Sequence, residues 1–311
     1  MPSCLHKINH NLDRLIWLTT PLAVALGLFF PGFFIHFRPS VIWLFGIMTF
    51  SGALKLTARE LGNAVKTPLP IIIFFFTCHV LMPLAALFSS SVIFESHDVI
   101  AGFILLFAGP TAVSGFIWVT IFKGDKALGL TFILLDTLLA PVVVPTTISI
   151  LIGTKTAMDM TGIAVSLIFM VVVPTIIAVA LNEASKRKIP DVVCPYIDPL
   201  AKICLMTVIA ANSAAVAPVI HFTDPLVWKI AGLCVVLTAS GFLLSKLSGV
   251  IGKFGYEKSA SLVLAGGLRN NSAVMTIAVA FFPETAVLPA VLSIIFQQMI
   301  TVVMGKLLIR R

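Results

Sequence analysis

Residues 261–282 read SLVLAGGLRNNSAVMTIAVAFF. The stretch is apolar enough to cross a bilayer, which takes about twenty residues, yet Gly266, Gly267, Arg269, Asn270 and Asn271 sit near its middle. A guanidinium at the bilayer centre costs roughly 2.5–3.5 kcal/mol on insertion scales and does not persist facing lipid. If this segment spans a membrane, the rest of the protein must be built around that charge.

The remainder of the chain supports a span. Its residues are 59% hydrophobic and only 11% charged, too apolar for an ordinary soluble domain. Continuous apolar runs recur along it, which reads as an all-α polytopic membrane protein with the lipid bilayer as its solvent. A β-barrel is excluded, because its strands would alternate. The formal charge of +8 does not point to nucleic acid, since the basic residues gather in short segments between runs, where membrane topology places them. The five cysteines (Cys4, Cys78, Cys194, Cys204 and Cys234) are scattered without a CxxC, and read as small packing residues. The basic N-terminus enters an apolar run without a small-residue cleavage site, so an uncleaved first helix is expected.

Charged and Pro/Gly-rich breaks delimit ten candidate spans, at 15–34, 40–56, 68–93, 99–122, 127–152, 160–182, 200–220, 226–247, 259–281 and 286–308. With ten spans, one side of the membrane receives only Arg38, Lys155 and Lys229, and every other Lys and Arg except Arg269 falls on the opposite side. That bias places both termini in the cytoplasm of a cell bounded by this plasma (inner) membrane. Ten divides into five plus five, and an odd number per half turns the second copy upside down. The expected repeats are 1–155 and 156–311, meeting near the acidic loop at Asp159. Inverted repeats of this kind build secondary transporters, with sites at the midplane where interrupted helices meet. The fourth and ninth spans occupy equivalent places and both are interrupted: Gly109, Pro110 and Gly115 weaken one, with Thr111 and Ser114 between them, while Gly266 and Gly267 weaken the other. Backbone groups released at such breaks bind ligand where protein or water surrounds them.

The polar residues share a depth. Arg269 lies eleven residues past Lys258 and Asp136 ten past Lys126; at about 1.5 Å per residue both sit roughly 15–17 Å into the membrane, half of a hydrocarbon core about 30 Å thick. His79, Ser114 and Gln297 fall at similar depth. The cheapest arrangements pair Asp136 with Arg269 inside the bundle, or expose both to a watery cavity; the direct pair is the expectation carried forward. Gln297 and Gln298 are about 100° apart on a helix, so only one should line a site. His79 is read first as bonded to a nearby carbonyl, and the small-residue run AANSAAVAP around Asn212 as a close helix-packing face. The candidate site is thus Arg269, Asp136, Asn270, Asn271, Ser114, Thr111, His79 and Gln297.

At these residues the chain resembles the bile acid/sodium symporter family. The likeness runs along nearly all of it, through VLMPLAA in the third span, GPTAVSGFIWVTIFKGDKALGLTFILLDTLLAPVVVP in the fourth and fifth, and GGLRNNSA in the ninth. The resemblance implies a core domain of spans three to five and eight to ten, moving against a panel of spans one, two, six and seven. It also implies an organic anion bound between them, commonly with two sodium ions beside the crossing. Where such relatives carry an acidic residue, a glutamine and an asparagine in the ninth span, this chain has Ala265, Arg269 and Asn270. The glutamine expected in the third span falls at Cys78, and the fourth-span sodium ligands at Gly115 and Phe116, or near Ser114.

A hard cation needs several oxygen ligands, and Arg269 repels one. The expectation is therefore a secondary transporter of a small organic anion in which Arg269 is a tethered cation replacing sodium. No cofactor or metal is expected; coupling to a proton stays open, with Asp136 as its carrier. Two alternatives remain: a sodium symporter with rebuilt ligands, and a non-transporting receptor or scaffold. An enzyme is not expected, because HExxH, GxSxG and clustered carboxylates are all missing.

Overall fold

The computed structural model describes residues 16–54, 68–153, 159–186 and 188–309. Of the charges used to read topology, Lys7, Arg14, Lys55, Arg59, Lys66, Lys155, Arg187, Arg310 and Arg311 lie outside the described residues. Those described are almost wholly helical. In chain order the helices are α1 (Ile16–Phe29), α2 (Pro31–Ala53), α3 (Pro68–Ile93), α4 (His97–Ala108), α5 (Gly115–Ile121), α6 (Lys126–Ile152), α7 (Met160–Ala184), α8 (Lys188–Val216), α9 (Pro225–Ile251), α10 (Tyr256–Gly267), α11 (Asn271–Phe281) and α12 (Glu284–Leu308).

Local chemistry sets many of these boundaries. Asp125 and Asp224 precede α6 and α9, and their carboxylates accept the Leu128 N–H at 3.0 Å and the Leu226 N–H at 2.8 Å, each satisfying a donor at a helix start. Proline opens α2, α3 and α9, where its missing N–H costs nothing. Prolines inside α3 and α7 have a different consequence. Pro83 and Pro174 each stand two residues past the end of a π turn, Thr77–Leu81 in α3 and Ile168–Val172 in α7. A proline cannot donate to the preceding turn, and the wider turn absorbs that loss.

Among the described residues, seven helical stretches are long and apolar enough to cross a membrane: α2, α3, α6, α7, Val192–Val219 within and just beyond α8, α9 and α12. The sequence expected ten. The stretches expected as first, fourth and ninth spans contain shorter apolar helices instead, Leu18–Phe29, His97–Ala108 and Asn271–Phe281. Large apolar side chains face outward on many helices, with Val92 86%, Trp43 73% and Ile150 72% exposed. In water so much exposed apolar surface would drive association; in lipid tails it is at home.

The chain forms two compact units, one from Met1–Glu60 with Val165–Pro218, the other from Leu61–Ala164 with Val219–Arg311. In the first unit α8 packs along α1 and α2. The AANSAAVAP run is the packing face there: a Cβ added at Gly27 of α1 would lie 2.2 Å from the Ala210 carbonyl oxygen and 2.8 Å from the Ser213 Cβ. Across α2 and α8, Ser51 donates to Asp198 at 2.8 Å. In the second unit, short helices fill the interior. Residues 101–108 of α4, 259–267 of α10 and 271–278 of α11 are buried without interruption.

Candidate functional site

Both interruptions lie in the second unit, and each leaves extended backbone. Helix α4 stops at Ala108; Gly109 turns the chain extended (ψ 154°), and α5 resumes only at Gly115. On the other side α10 runs through Gly266 and Gly267 before Leu268 becomes extended (φ −102°, ψ 128°). The glycines therefore stay helical. Their purpose is closeness, since a Cβ at Gly267 would lie 2.4 Å from the Phe242 ring of α9.

The two extended pieces satisfy one another. Thr111 and Arg269 form an antiparallel bridge, the Ala112 N–H donates to Leu268 O at 3.3 Å, and the Asn270 N–H donates to Pro110 O at 2.8 Å. Buried backbone groups freed at helix ends must find such partners. Thr111 Oγ adds a second tie, within reach of both Leu268 O (2.9 Å) and Ala265 O to share its one proton. Gln297 of α12 completes the pairing as a strand would. Its Oε1 accepts the Arg269 N–H at 3.1 Å and its Nε2 donates to Arg269 O at 2.9 Å. Gln298 points elsewhere and accepts from Trp118 Nε1 at 3.1 Å, so the two glutamines diverge as helix geometry requires.

The asparagines divide the remaining work. Asn270 caps α11, its Oδ1 accepting the Ala273 N–H at 3.2 Å. Asn271 Nδ2 donates to Ser293 Oγ at 3.0 Å, while its Oδ1 is buried without a partner among the described residues. Ser114 does not join this network. It is half-buried and gives α5 no side-chain cap.

The Arg269 side chain is 2% exposed and turns to backbone oxygen. Nη2 donates to Cys78 O at 3.2 Å and Nη1 to Gly109 O at 3.4 Å. Both carbonyls are available for a reason. Gly109 O lies past the end of α4. Within the π turn the Met82 N–H goes to Thr77 O, and Pro83 has no N–H to give, so neither residue that would normally serve Cys78 O does so. The sequence carried the signal, a proline five residues beyond Cys78, but the released carbonyl follows only once the π turn is known.

Asp136 is fully buried, and its contacts correct the expected pairing. One oxygen meets His79 Nε2 at 2.6 Å; the other accepts the Thr111 N–H at 2.7 Å. Asp136 and Arg269 form no direct ion pair, because His79 and Thr111 occupy the carboxylate while carbonyls occupy the guanidinium. Thr111 joins the two halves, its N–H on Asp136 and its backbone bridged to Arg269. His79 takes this carboxylate in place of the expected carbonyl, and Phe75 stacks on its ring with centroids 5.4 Å apart. Phe74 and Phe132 stack at 4.5 Å and fix α3 against α6 at this level. Among the described residues no three His, Cys, Asp or Glu side chains gather as they would around a metal.

Sequence comparison places this chain among known proteins. The model of the sodium bile acid symporter family matches residues 41–221. The chain is 36% identical over 297 residues to the uncharacterized protein YbaS of Bacillus subtilis (strain 168), covering 94% of this chain and 96% of that one. It is 23% identical to the uncharacterized sodium-dependent transporter YocS of the same organism, over 93% of this chain and 89% of the relative. It is also 23% identical to the probable chloroplastic sodium/metabolite cotransporter BASS2 of Oryza sativa subsp. japonica, over 95% and 72% respectively. Matched by the family model across more than half its residues, and aligned with a bacterial relative along almost its whole length, the chain belongs to the sodium bile acid symporter family of membrane transporters.

Proposed function

We propose that this chain is a secondary active transporter of a small organic anion, working by alternating access, in which Arg269 takes the place of a bound sodium ion. One observation carries the proposal: a buried guanidinium donates to two carbonyls released where helices are interrupted. Oxygen of that kind is what a hard cation binds. With those oxygens engaged and a fixed positive charge beside them, a second cation would gain little and be repelled. Asp136 balances the charge within the same unit without touching it.

On this reading the unit of residues 61–164 and 219–311 is the moving core, and the unit of residues 1–60 and 165–218 is the panel. Ten crossings form two inverted halves, with the interrupted fourth and ninth crossing near the anion. The membrane is the plasma (inner) membrane and both termini are cytoplasmic. The proposed site comprises Arg269, Asp136, His79, Thr111, Gln297, Asn270 and Asn271, the last with an oxygen left for a ligand donor.

The names of YocS and BASS2 favour a second reading, sodium-coupled transport with rebuilt ligands. Uptake of labelled organic anions into proteoliposomes, in sodium or in choline, separates the two. Equal rates are expected; saturable stimulation by sodium contradicts the proposal, and anion binding without flux would mark a receptor.

A further inference from the structure

We propose that the coupling ion is a proton carried by the His79–Asp136 pair, and that protons and negative charges enter in equal numbers. The inference rests on the transport reading and adds to it the identity of the coupling site.

The starting point is the count of buried charges. Arg269 and an ionised Asp136 cancel, provided that His79 is neutral. An ionised carboxylate only accepts hydrogen bonds, so the neutral ring places its hydrogen on Nε2, facing Asp136 at 2.6 Å. The lone pair is then on Nδ1. That atom is buried and has no partner among the described residues, an uncommon condition for a ring nitrogen. It is the open position for a proton. Asp136 is fully buried, whereas the His79 side chain keeps 6% of its surface exposed, so the proton enters through the ring.

Neighbouring charges do not change the count. Cys78 precedes His79 in the π turn, and Arg269 lies across the crossing. Helix α4 carries its charges at His97 and Asp98, α10 at Glu257 and Lys258, and α6 at Lys126, all in first turns. Lys123 and Asp125 lie in the turn before α6, and α9 has Lys229 in its second turn and Lys246 within two turns of its end. Among the described residues, no further charge reaches the level of the pair.

Four loading states follow. Empty, the site is neutral. With a proton alone, an imidazolium facing Asp136 beside Arg269 leaves one net positive charge. With a single-charged anion alone, it carries one net negative charge. With both, it is neutral again, and the new Nδ1–H is a charged donor that can meet the anion. Moving an unbalanced charge through a low-dielectric interior is costly, so only the empty and doubly loaded states cross readily. On one side the Nδ1–H bond forms as an O–H bond of hydronium breaks and water is left; on the other side the reverse transfer to water restores the neutral ring, with no change of oxidation state.

The test uses wild-type protein in liposomes containing a pH-sensitive dye, without sodium. Singly charged, membrane-impermeant anions are supplied outside: gluconate, glucuronate, shikimate and taurocholate. A transported member is expected to acidify the lumen mole for mole, to enter faster down an inward proton gradient, and to ignore a membrane potential set with valinomycin and potassium. His79→Gln, verified as monodisperse, should lose the acidification and the response to the gradient. Uptake that needs sodium and moves no protons, uptake that follows the membrane potential, or acidification that persists in His79→Gln, overturns the proton assignment and leaves transport standing. If wild-type protein takes up none of these anions, with or without sodium, the transport reading falls and this inference with it.

Discussion

Replacing Gln297 by methionine, which has similar volume and no amide, tests how the crossing is held. In the native protein that amide is the side-chain partner of the Arg269 N–H at 3.1 Å and of Arg269 O at 2.9 Å. Both backbone groups are buried, and water does not replace a lost partner there. Arg269 O keeps the Asn271 N–H at 2.9 Å, so the substitution leaves one buried N–H unsatisfied, at about 1–3 kcal/mol, and removes one further bond worth about 1 kcal/mol. Gln297→Met should therefore destabilise the protein by roughly 2–4 kcal/mol. Gln298→Met supplies the control. It removes one part-buried bond, to Trp118 Nε1, and should cost about 1 kcal/mol or less. Gln297→Glu in its neutral acid form keeps an acceptor for the N–H and an O–H donor for Arg269 O, in altered geometry, so it should fall between. Reversible unfolding in mixed micelles, followed by circular dichroism against denaturing detergent, reads all three. Gln297→Met no more destabilising than Gln298→Met would refute the reasoning.

Other substitutions probe the neighbouring contacts. Thr111→Val keeps the shape and the N–H to Asp136 but removes the hydroxyl from Leu268 O and Ala265 O, and should lower stability by about 1–3 kcal/mol in the same unfolding assay. Gly267→Ala would push a Cβ to 2.4 Å from the Phe242 ring and should cost about 1–3 kcal/mol through overpacking. Gly232→Ala in α9 has nothing within 4 Å of the added Cβ, and should be neutral or gain roughly 0.5–1 kcal/mol; thermal melting of the two variants should move in opposite directions. Arg269→Gln removes the compensation for Asp136 as well as the bonds to Cys78 O and Gly109 O, so adding Asp136→Asn should restore part of the lost melting temperature. A double variant that melts lower than Arg269→Gln alone would mean that the two charges do not compensate.

Much of this was legible in the sequence because apolar runs and breaks are local signals. The helices follow the continuous apolar segments, and the interruption after Ala108 follows from Gly109 and Pro110. Arg269, Asp136, His79 and Gln297 could be assigned one depth by counting residues from Lys258, Lys126, Lys66 and Lys306. Depth does not choose partners. Asp136 and Arg269 were expected to touch because opposite charges at one level cost least when paired. The structure spends both on other contacts: an N–H at Thr111, supplied by extended backbone, and carbonyls at Cys78 and Gly109. The Cys78 carbonyl was the least legible element. Its release depends on a π turn and Pro83 together, and a side-chain alphabet does not display backbone oxygens. The glycine pair misled in another way, since Gly266 and Gly267 look like helix breakers but remain helical to admit Phe242 and Ser245. Ser114, small and polar at the right depth, sits at the start of α5 and bonds to none of the others.

The claim that a guanidinium has replaced a metal ion is tested most directly by equilibrium binding of radioactive sodium to the purified protein, with Arg269→Gln beside it. The wild-type protein should show no saturable sodium binding, because the carbonyls of Cys78 and Gly109 are already engaged by Arg269. Stoichiometric, saturable sodium binding to the wild-type protein would contradict the claim.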